Sequence, residues 1–366
     1  MKINDVIIDM HQGINTVADK VEYLDFGIPI IQSKNFTKGY LDLEDVRYLG
    51  EEDEKKYIEK YNPHVGDILM ANIGTIGKSY VITEEQRFLI AWNAFLIKPN
   101  ADKIKSEYLK FYFDFLASTH YFDGLLTGGT VKFINKKKIG DIVVPDKTIT
   151  EQVEICDVLS KVEQVIIKRQ QEIELLDNLI KARFVELFGT LDNPAREFEK
   201  ATLKELCNKI TDGKHGGCTS EEGTQRYFVG AREIYDDEVH YDTAPEINVV
   251  EFEKDYKRCN IEIGDFLIVN TGATIGKSAI AIDERTEHTL LQKSVALLKV
   301  KKDLLNPVFL KWCYRVNTRM YMVESASAQP NLLLSKINGT VIYVPDIELQ
   351  NQFAEFVKQV DKSKFS

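Results

Sequence analysis

The sequence predicts an α/β protein built twice, with two similar domains carrying irregular, twisted sheets and long helices attached to them. Three observations predict it. The first is a long-period internal repeat. Residues 66–79 read GDILMANIGTIGKS and residues 264–278 read GDFLIVNTGATIGKS, while KKKIGDIVVPD (136–146) is answered by SKINGTVIYVPD (335–346). The offset moves only from 198 (Gly66 to Gly264) to 200 (Pro145 to Pro345). That is far longer than the 20–50-residue period of a solenoid, so it marks a duplicated domain. The second observation is that each copy mixes short β-rich runs with helical stretches. The third is an uninterrupted helical pattern between the copies.

The β-rich runs are Asp67–Ala71, Phe88–Ile97 and Phe266–Asn270. Helical stretches include Ser106–Ala117 and Pro307–Val316, the latter opening on a proline, as helix starts often do. From Glu151 to Phe188 there is neither Gly nor Pro. Positions Ile155, Leu159, Val162, Ile166, Arg169, Ile173, Leu176, Ile180, Arg183 and Leu187 step alternately by four and three, and all but the two arginines are apolar. This is a heptad seam, closed by Gly189 where a helix C-cap favours glycine. The rod spans roughly 57 Å and needs a partner helix to cover its stripe. Leu349, Phe353, Phe356 and Val360 offer the same spacing after Pro345. In both copies a glutamine lies seven residues after the proline, Gln152 after Pro145 and Gln352 after Pro345. The expected domains are 1–148 and 191–346, with a central helix at 149–190 and a distal helix at 347–366.

Composition narrows the function classes. With 366 residues, 44% hydrophobic and 28% charged, the chain has room for two cores and the make-up of a soluble globular protein. No run of 18 apolar residues occurs and MKINDVIIDMHQG lacks an apolar leader, so neither membrane insertion nor secretion is expected. Five cysteines at unrelated spacings favour reduced thiols in a cytoplasm. The net charge of −10 argues against coating nucleic acid non-specifically. It still permits a local basic face, with some phosphate contacts supplied by a partner.

The Gly-Lys-Ser loops invite a nucleotide reading that their spacing refuses. A phosphate-cradling loop needs four residues between its first glycine and Gly-Lys-Ser/Thr. Here Gly74 to Gly77 leaves two and Gly272 to Gly276 leaves three. The next residues read as strand rather than helix, so a hairpin is expected. Lys78 and Lys277 occupy the same place in both copies and are either solvated or phosphate contacts. In TGGTVKFINKKK (127–138), Lys132, Lys136, Lys137 and Lys138 suit phosphates. The matching SASAQPNLLLSK (325–336) offers Gln329 and Asn331, which suit base edges. TDGKHGGC (211–218) presents Lys214 and His215 in a glycine-rich loop, and one His and one Cys are too few for zinc. Arg232 comes after a strand-like run. The candidate contact set is Asn72, Thr75, Lys78, Thr130, Lys132, Lys136, Lys214, His215, Arg232, Thr274, Lys277, Gln329 and Asn331. No catalytic constellation, metal site or cofactor site is expected.

The blocks GDILMANIGTIGKS and VVPDKTITEQVEI in the first half, and CNKITDGKH, GDFLIVNTGATIGKS and VPDIELQNQF in the second, resemble the specificity subunits of type I restriction–modification systems. The resemblance spans nearly the whole chain and lies in the order and duplication of the blocks. It implies two target recognition domains joined by two long antiparallel coiled-coil helices in a pseudo-twofold arrangement. Each domain would read half of a split double-stranded DNA target, and the helices would set the gap. It implies a non-catalytic cytoplasmic subunit that recruits two methyltransferase subunits and a restriction (translocase) subunit. The seam residues Ile155, Leu159, Val162, Ile166, Ile173, Leu176, Ile180 and Leu187 form the expected partner-binding face. The family pattern has a distal helix as long as the central one, whereas here the sequence stops at Ser366. A shortened distal helix is expected to weaken the second methyltransferase site. Two other readings stand beside this one: a bivalent protein-binding scaffold, and a nucleotide hydrolase, which the loop spacing disfavours.

Overall fold

The computed structural model describes residues 1–61, 63–129, 131–321 and 331–364. Two of the expected contact residues, Thr130 and Gln329, lie outside them. The chain divides into two compact units, Met1–Lys168 and Arg169–Ser366.

Unit 1 opens with a one-turn helix α1 (Ile3–Val6) that runs straight into β1 (Ile7–Gln12). Next come β2 (Ile28–Ile31), β3 (Arg47–Leu49) and helix α2 (Glu51–Tyr61). The first Gly-Lys-Ser block forms the antiparallel hairpin β4 (Ile68–Ala71) and β5 (Ser79–Val81), succeeded by β6 (Leu89–Ile90) and β7 (Ala94–Pro99). One sheet has the order β1-β7-β4-β5 and is antiparallel throughout; the other has the order β3-β2-β6, with β2 and β6 parallel. The run Phe88–Ile97, expected as one strand, is therefore two strands in different sheets. A turn at Ala91–Asn93 carries the chain from one to the other, and the continuous apolar run conceals it. Helices α3 (Ser106–Ser118) and α4 (Lys136–Gly140) complete the unit before α5 (Ile149–Phe188) begins.

The central strands lack the alternation of a half-exposed strand because both faces are covered. Ile68, Met70, Phe95 and Ile97 pack on α3 through Tyr108, Leu109, Phe113 and Leu116. Leu69, Ala71 and Leu96 face the second sheet and α2 through Ile30, Ile31, Leu89, Tyr57 and Tyr61. Each Ile, Leu, Met or Phe side chain so removed from water contributes about 1.5–3 kcal/mol.

Unit 2 repeats this plan. Its elements are β8 (Glu199–Thr202), α6 (Leu203–Leu206), β9 (Cys207–Asp212), β10 (Tyr227–Val229), β11 (Ile234–Tyr235), β12 (Glu238–Val239) and α7 (Val249–Asp255). They continue with β13 (Phe266–Val269), β14 (Ser278–Ile280), β15 (Thr289–Leu291), β16 (Val295–Val300), α8 (Pro307–Val316), α9 (Leu334–Gly339), β17 (Val341–Val344) and α10 (Ile347–Lys364). The sheet order β14-β13-β16-β9 matches β5-β4-β7-β1, and the parallel pair β10–β15 matches β2–β6. Where unit 1 has a single bridge between Lys2 and Val143, unit 2 has the full antiparallel pair β8–β17.

Helix α5 has 40 residues and is about 60 Å long. A reciprocal cap opens it: the Glu151 carboxylate accepts from the Thr148 amide at 2.8 Å, and the Thr148 hydroxyl accepts from the Glu151 amide at 3.3 Å. Gly189 closes it at φ +74°, where an added Cβ would lie 2.3 Å from the Asn193 carbonyl oxygen. Within unit 2, Ile180, Phe184 and Phe188 are fully buried, and the Phe353 ring lies 5.4 Å from Phe184 and 5.6 Å from Phe188. The Lys364 ammonium reaches Asp177 at 2.7 Å. Residue numbers fall along α5 as they rise along α10, so these two segments are antiparallel.

The repeat of the glutamines needs a correction. Gln152 is fully buried; its Nε2 donates to the carbonyls of Lys103 and Lys147, and its Oε1 accepts from the Lys105 amide. The residue that does the same in unit 2 is Gln350, also fully buried, which bonds the carbonyls of Leu304 and Pro345 and the Asn306 amide. Gln352 is exposed. The connection from the proline to the helix is two residues shorter in the second copy, so counting from the proline selects the wrong glutamine. Replacing Gln152 or Gln350 by Ala strands a buried amide and two carbonyls. Urea unfolding should show a loss of at least about 2 kcal/mol, against less than about 0.5 kcal/mol for Gln352→Ala.

The cap on α5 is pH-dependent. The hydrogen bond from the Thr148 amide, and after it that from Lys147, holds the Glu151 carboxyl down from 4.5 to about 2. A depressed carboxyl stabilises the fold above its unfolded value and loses that contribution as pH falls towards the folded one. The Tm advantage of wild type over Glu151→Gln should be complete above pH 4.5 and shrink steadily below it.

Candidate nucleic-acid interface

Strand register gathers one set of loops at one end of each unit. In unit 1, Gln12 at the end of β1 pairs with Phe95, Ala71 at the end of β4 pairs with Ala94, and Met70 pairs with Ser79 at the start of β5. The parallel strands β2 and β6 finish together at Ile31 and Ile90. Loops 12–16, 32–35, 72–78 and 91–93 therefore share this end. Phe133 and Ile134 join them through a bridge between Ile73 and Phe133 and a bond from the Ile134 amide to the Asn72 carbonyl. Helix α5 begins at the opposite end, where Gln152 holds Lys103 and Lys105. Unit 2 does the same with loops 212–215, 230–233, 270–277 and 292–294 and with Asn331, which bridges Thr271.

The hairpin geometry explains the repeated glycine before lysine. Gly77 has φ +87°, and an added Cβ would lie 2.2 Å from the Phe122 ring; Gly276 has φ +91° and would meet Tyr321 at 2.3 Å. Both a left-handed backbone and a close-packed ring demand glycine. The next element is a strand in both copies, so the loops lack the helix N-terminus that a phosphate-cradling loop presents. The adjoining Ser79 and Ser278 are buried while Lys78 and Lys277 are exposed.

The expected contact residues divide into several groups. Thr75, Lys78 and Lys132 in unit 1 are exposed at the shared end, and neither lysine has an ion-pair partner among the described residues. In unit 2, Lys277 and Arg232 are exposed there and likewise unpaired among the described residues, with Thr274 half-buried beside Lys277. Asn331 is exposed and its Oδ1 accepts from the Thr271 hydroxyl at 3.3 Å. His215 is exposed, 3.3 Å from the Asp212 carboxylate, which Arg258 also holds.

Other expected contacts do not stand as exposed, free groups. Asn72 is fully buried and makes its connections through its backbone, to Asn93 and Ile134. Its side chain, with neither polar atom hydrogen-bonded, belongs to the interior of the hairpin, as does that of the equivalent Asn270. Lys214 is ion-paired to Asp255 at 2.5 Å, a bond that holds its amine above the usual lysine range. Lys136 stands on α4, paired to Asp9 at 3.5 Å, and the Lys138 ammonium donates to the Leu125 carbonyl. Two of the four lysines in the run, Lys136 and Lys138, are thus spent on their own unit, while Lys132 and Lys137 are exposed.

Sequence reasoning missed the turn at 91–93 and its counterpart at 292–294, because it took the first for mid-strand. Trp92 and Lys293 are both exposed there. Aligning AWNA (91–94) with QKSV (292–295) would have found them.

The seam on α5 is also divided. Leu159, Val162, Ile166 and Ile173 are exposed. Ile155 packs on the core of unit 1, and Leu176 and Leu187 pack on that of unit 2. Ile180 is fully buried and is not a surface for a partner; the core that includes α10 covers it. Heptad spacing identifies an apolar face but not what lies on it.

Among the described residues no group of three or more His, Cys, Asp or Glu could hold a metal ion, and no helix is long and apolar enough to cross a membrane. Burial pushes the Cys207 and Cys313 thiols up to about 12 and that of Cys259 to about 11, which suits packing rather than nucleophilic attack.

Comparison with known proteins agrees with this architecture. The family model described as "Type I restriction modification DNA specificity domain" matches residues 2–177 and 195–366. A putative type I restriction enzyme MjaX specificity subunit from Methanocaldococcus jannaschii is 23% identical over 210 residues, covering 56% of this chain and 48% of the relative. The match thus spans about half the length of that relative. The crystal structure of a type I restriction–modification S subunit from M. genitalium superposes with a TM-score of 0.53 at 15% identity, covering all of this chain and 89% of that one. A structure described for complex assembly and conformational transition of the type I system gives 0.50 at 15%, covering all of this chain and 90% of the other. With two copies of the family domain matched over almost all its length, the chain belongs to the type I restriction–modification DNA specificity family.

Proposed function

We propose that each unit reads one half of a bipartite double-stranded DNA target through its sheet-end loops, and that the long helices set the spacing. The observation that carries this is the repetition: the same sheet end is built twice, each time with exposed lysine on the hairpin. In this reading residues 1–148 and 191–346 are the two recognition domains, and 149–190 and 347–366 are the helical spacers. The subunit works in the cytoplasm without chemistry of its own. Methylation of adenine and cleavage belong to methyltransferase subunits, two per complex, and to a restriction subunit. The exposed stripe of Leu159, Val162 and Ile166 is the docking face for a methyltransferase helix. An apolar row on a solvent-facing helix is costly to leave bare, which supports the assignment.

Salt dependence, methylation and copurification test it. Duplex binding by the full chain should weaken steeply with salt, and Lys78→Ala with Lys132→Ala should lower the slope of log K against log salt by about two. A bivalent protein scaffold would show no such dependence. Coexpression with the cognate methyltransferase and mapping of genomic methylation should give a two-part motif with modified adenine in each half. Exchanging residues 1–148 for those of a relative should change one half alone. Val162→Glu should abolish copurification of the methyltransferase while leaving the Tm of the isolated chain unchanged, because the side chain is half exposed.

A further inference from the structure

The turns at 91–93 and 292–294 carry equivalent residues of opposite chemistry. Trp92 donates its amide to the Ile14 carbonyl at 2.9 Å and its carbonyl accepts from the Gln12 amide side chain at 2.8 Å. Lys293 donates its amide to the Lys214 carbonyl at 2.9 Å. Ile14 and Lys214 each come directly after the glycine that ends their strand, so the two turns correspond in their backbone bonds. Asn93 and Ser294 repeat the match: the Asn72 amide donates to the Asn93 carbonyl and the Asn270 amide to that of Ser294. Both turns lie among the loops proposed to face DNA.

Trp92 is 39% exposed on a backbone held on both sides. An indole displayed from so fixed a backbone loses little conformational freedom when a partner covers it, the property that makes aromatic side chains binding hot spots. Lys293 has no ion-pair partner among the described residues and offers charge at the same point. Resting on the proposed DNA-reading function, we infer that Trp92 and Lys293 are contact residues at equivalent positions of the two recognition ends. Trp92 packs its apolar face against base edges and sugars in the half-site of unit 1, and Lys293 neutralises a phosphate in that of unit 2. The contact in unit 1 is then nearly insensitive to salt, whereas the one in unit 2 is not.

The chain has two tryptophans, and Trp312 is buried at 3% exposure, so fluorescence accessible to a neutral quencher reports Trp92. The full chain is used with duplexes it selects from a random-sequence pool, and with acrylamide as quencher. The accessible signal should be present in the free protein, absent in Trp92→Phe, and shielded when the duplex binds. Trp92→Ala should weaken binding at least about fivefold with an unchanged salt slope. Lys293→Ala should lower that slope by about one. If wild type binds duplex with steep salt dependence yet Trp92 stays accessible and both variants bind like wild type, the inference is overturned while the DNA reading stands. If wild type selects no duplex and shows no salt-dependent binding, the DNA reading itself fails and takes the inference with it.

Discussion

A single buried amide fixes where each long helix leaves its domain. Gln152 and Gln350 each join three backbone groups, on the segment after the last sheet strand and on the turn before the helix. A buried glutamine left half-bonded would cost more than an apolar residue in its place. Its full satisfaction therefore selects one register of helix on sheet. With that register set, the first turns of α5 lie at the end of the unit 1 sheet remote from the hairpin, and those of α10 lie likewise in unit 2. Domain surface and helical surface are thus kept apart within each unit by one side chain. The proposed function, holding nucleic acid while binding other subunits, needs that separation.

The second constraint is the glycine of each hairpin. Gly77 and Gly276 let an aromatic ring press on the backbone beside the exposed lysine. The ring holds the turn in shape, so the lysine projects from a fixed support. The block looks like a phosphate loop in sequence because both designs need a glycine next to a lysine. They differ in the element after the lysine: a helix N-terminus gathers unpaired N–H groups towards an anion, while a strand spends them on its neighbours.

The duplication, the long helix with its Gly189 stop, and helices α3 and α8 were legible in the sequence because each rests on local pattern. The division of Phe88–Ile97 between two sheets was not. Its residues are apolar on both sides of the turn, since both sheets bury them, and periodicity carries no signal when both faces of a strand are covered. The fate of polar side chains was less legible still. Asn72 and Lys78 are six residues apart on one hairpin, yet one is inside and the other in solvent. Lys214 and Lys277 are both lysines in glycine-rich loops, yet only Lys214 is neutralised by a carboxylate 41 positions away in the chain. Such pairings depend on tertiary contacts that no spacing rule encodes. The mistaken equivalence of Gln352 had a simpler cause, a two-residue difference in a loop.

The repeat is faithful in its interior and diverges at the sheet ends, which locates the part free to specialise. Interior and close-packed positions correspond closely: Gln152 with Gln350, Gly77 with Gly276, Asn72 with Asn270. Around the proposed recognition end the exposed pair Trp92 and Lys293 differs in charge and kind. Lys34, paired to Asp45 at 2.6 Å, stands where unit 2 has the unpaired Arg232. The interior is held by packing and by backbone bonds that tolerate little change, whereas Trp92 and Lys293 tie into their turns through their own backbone N–H and C=O groups. Their side chains can therefore be exchanged without loosening the turn. Two copies of one scaffold can in this way come to present different surfaces, as the proposed reading of two unlike half-sites requires.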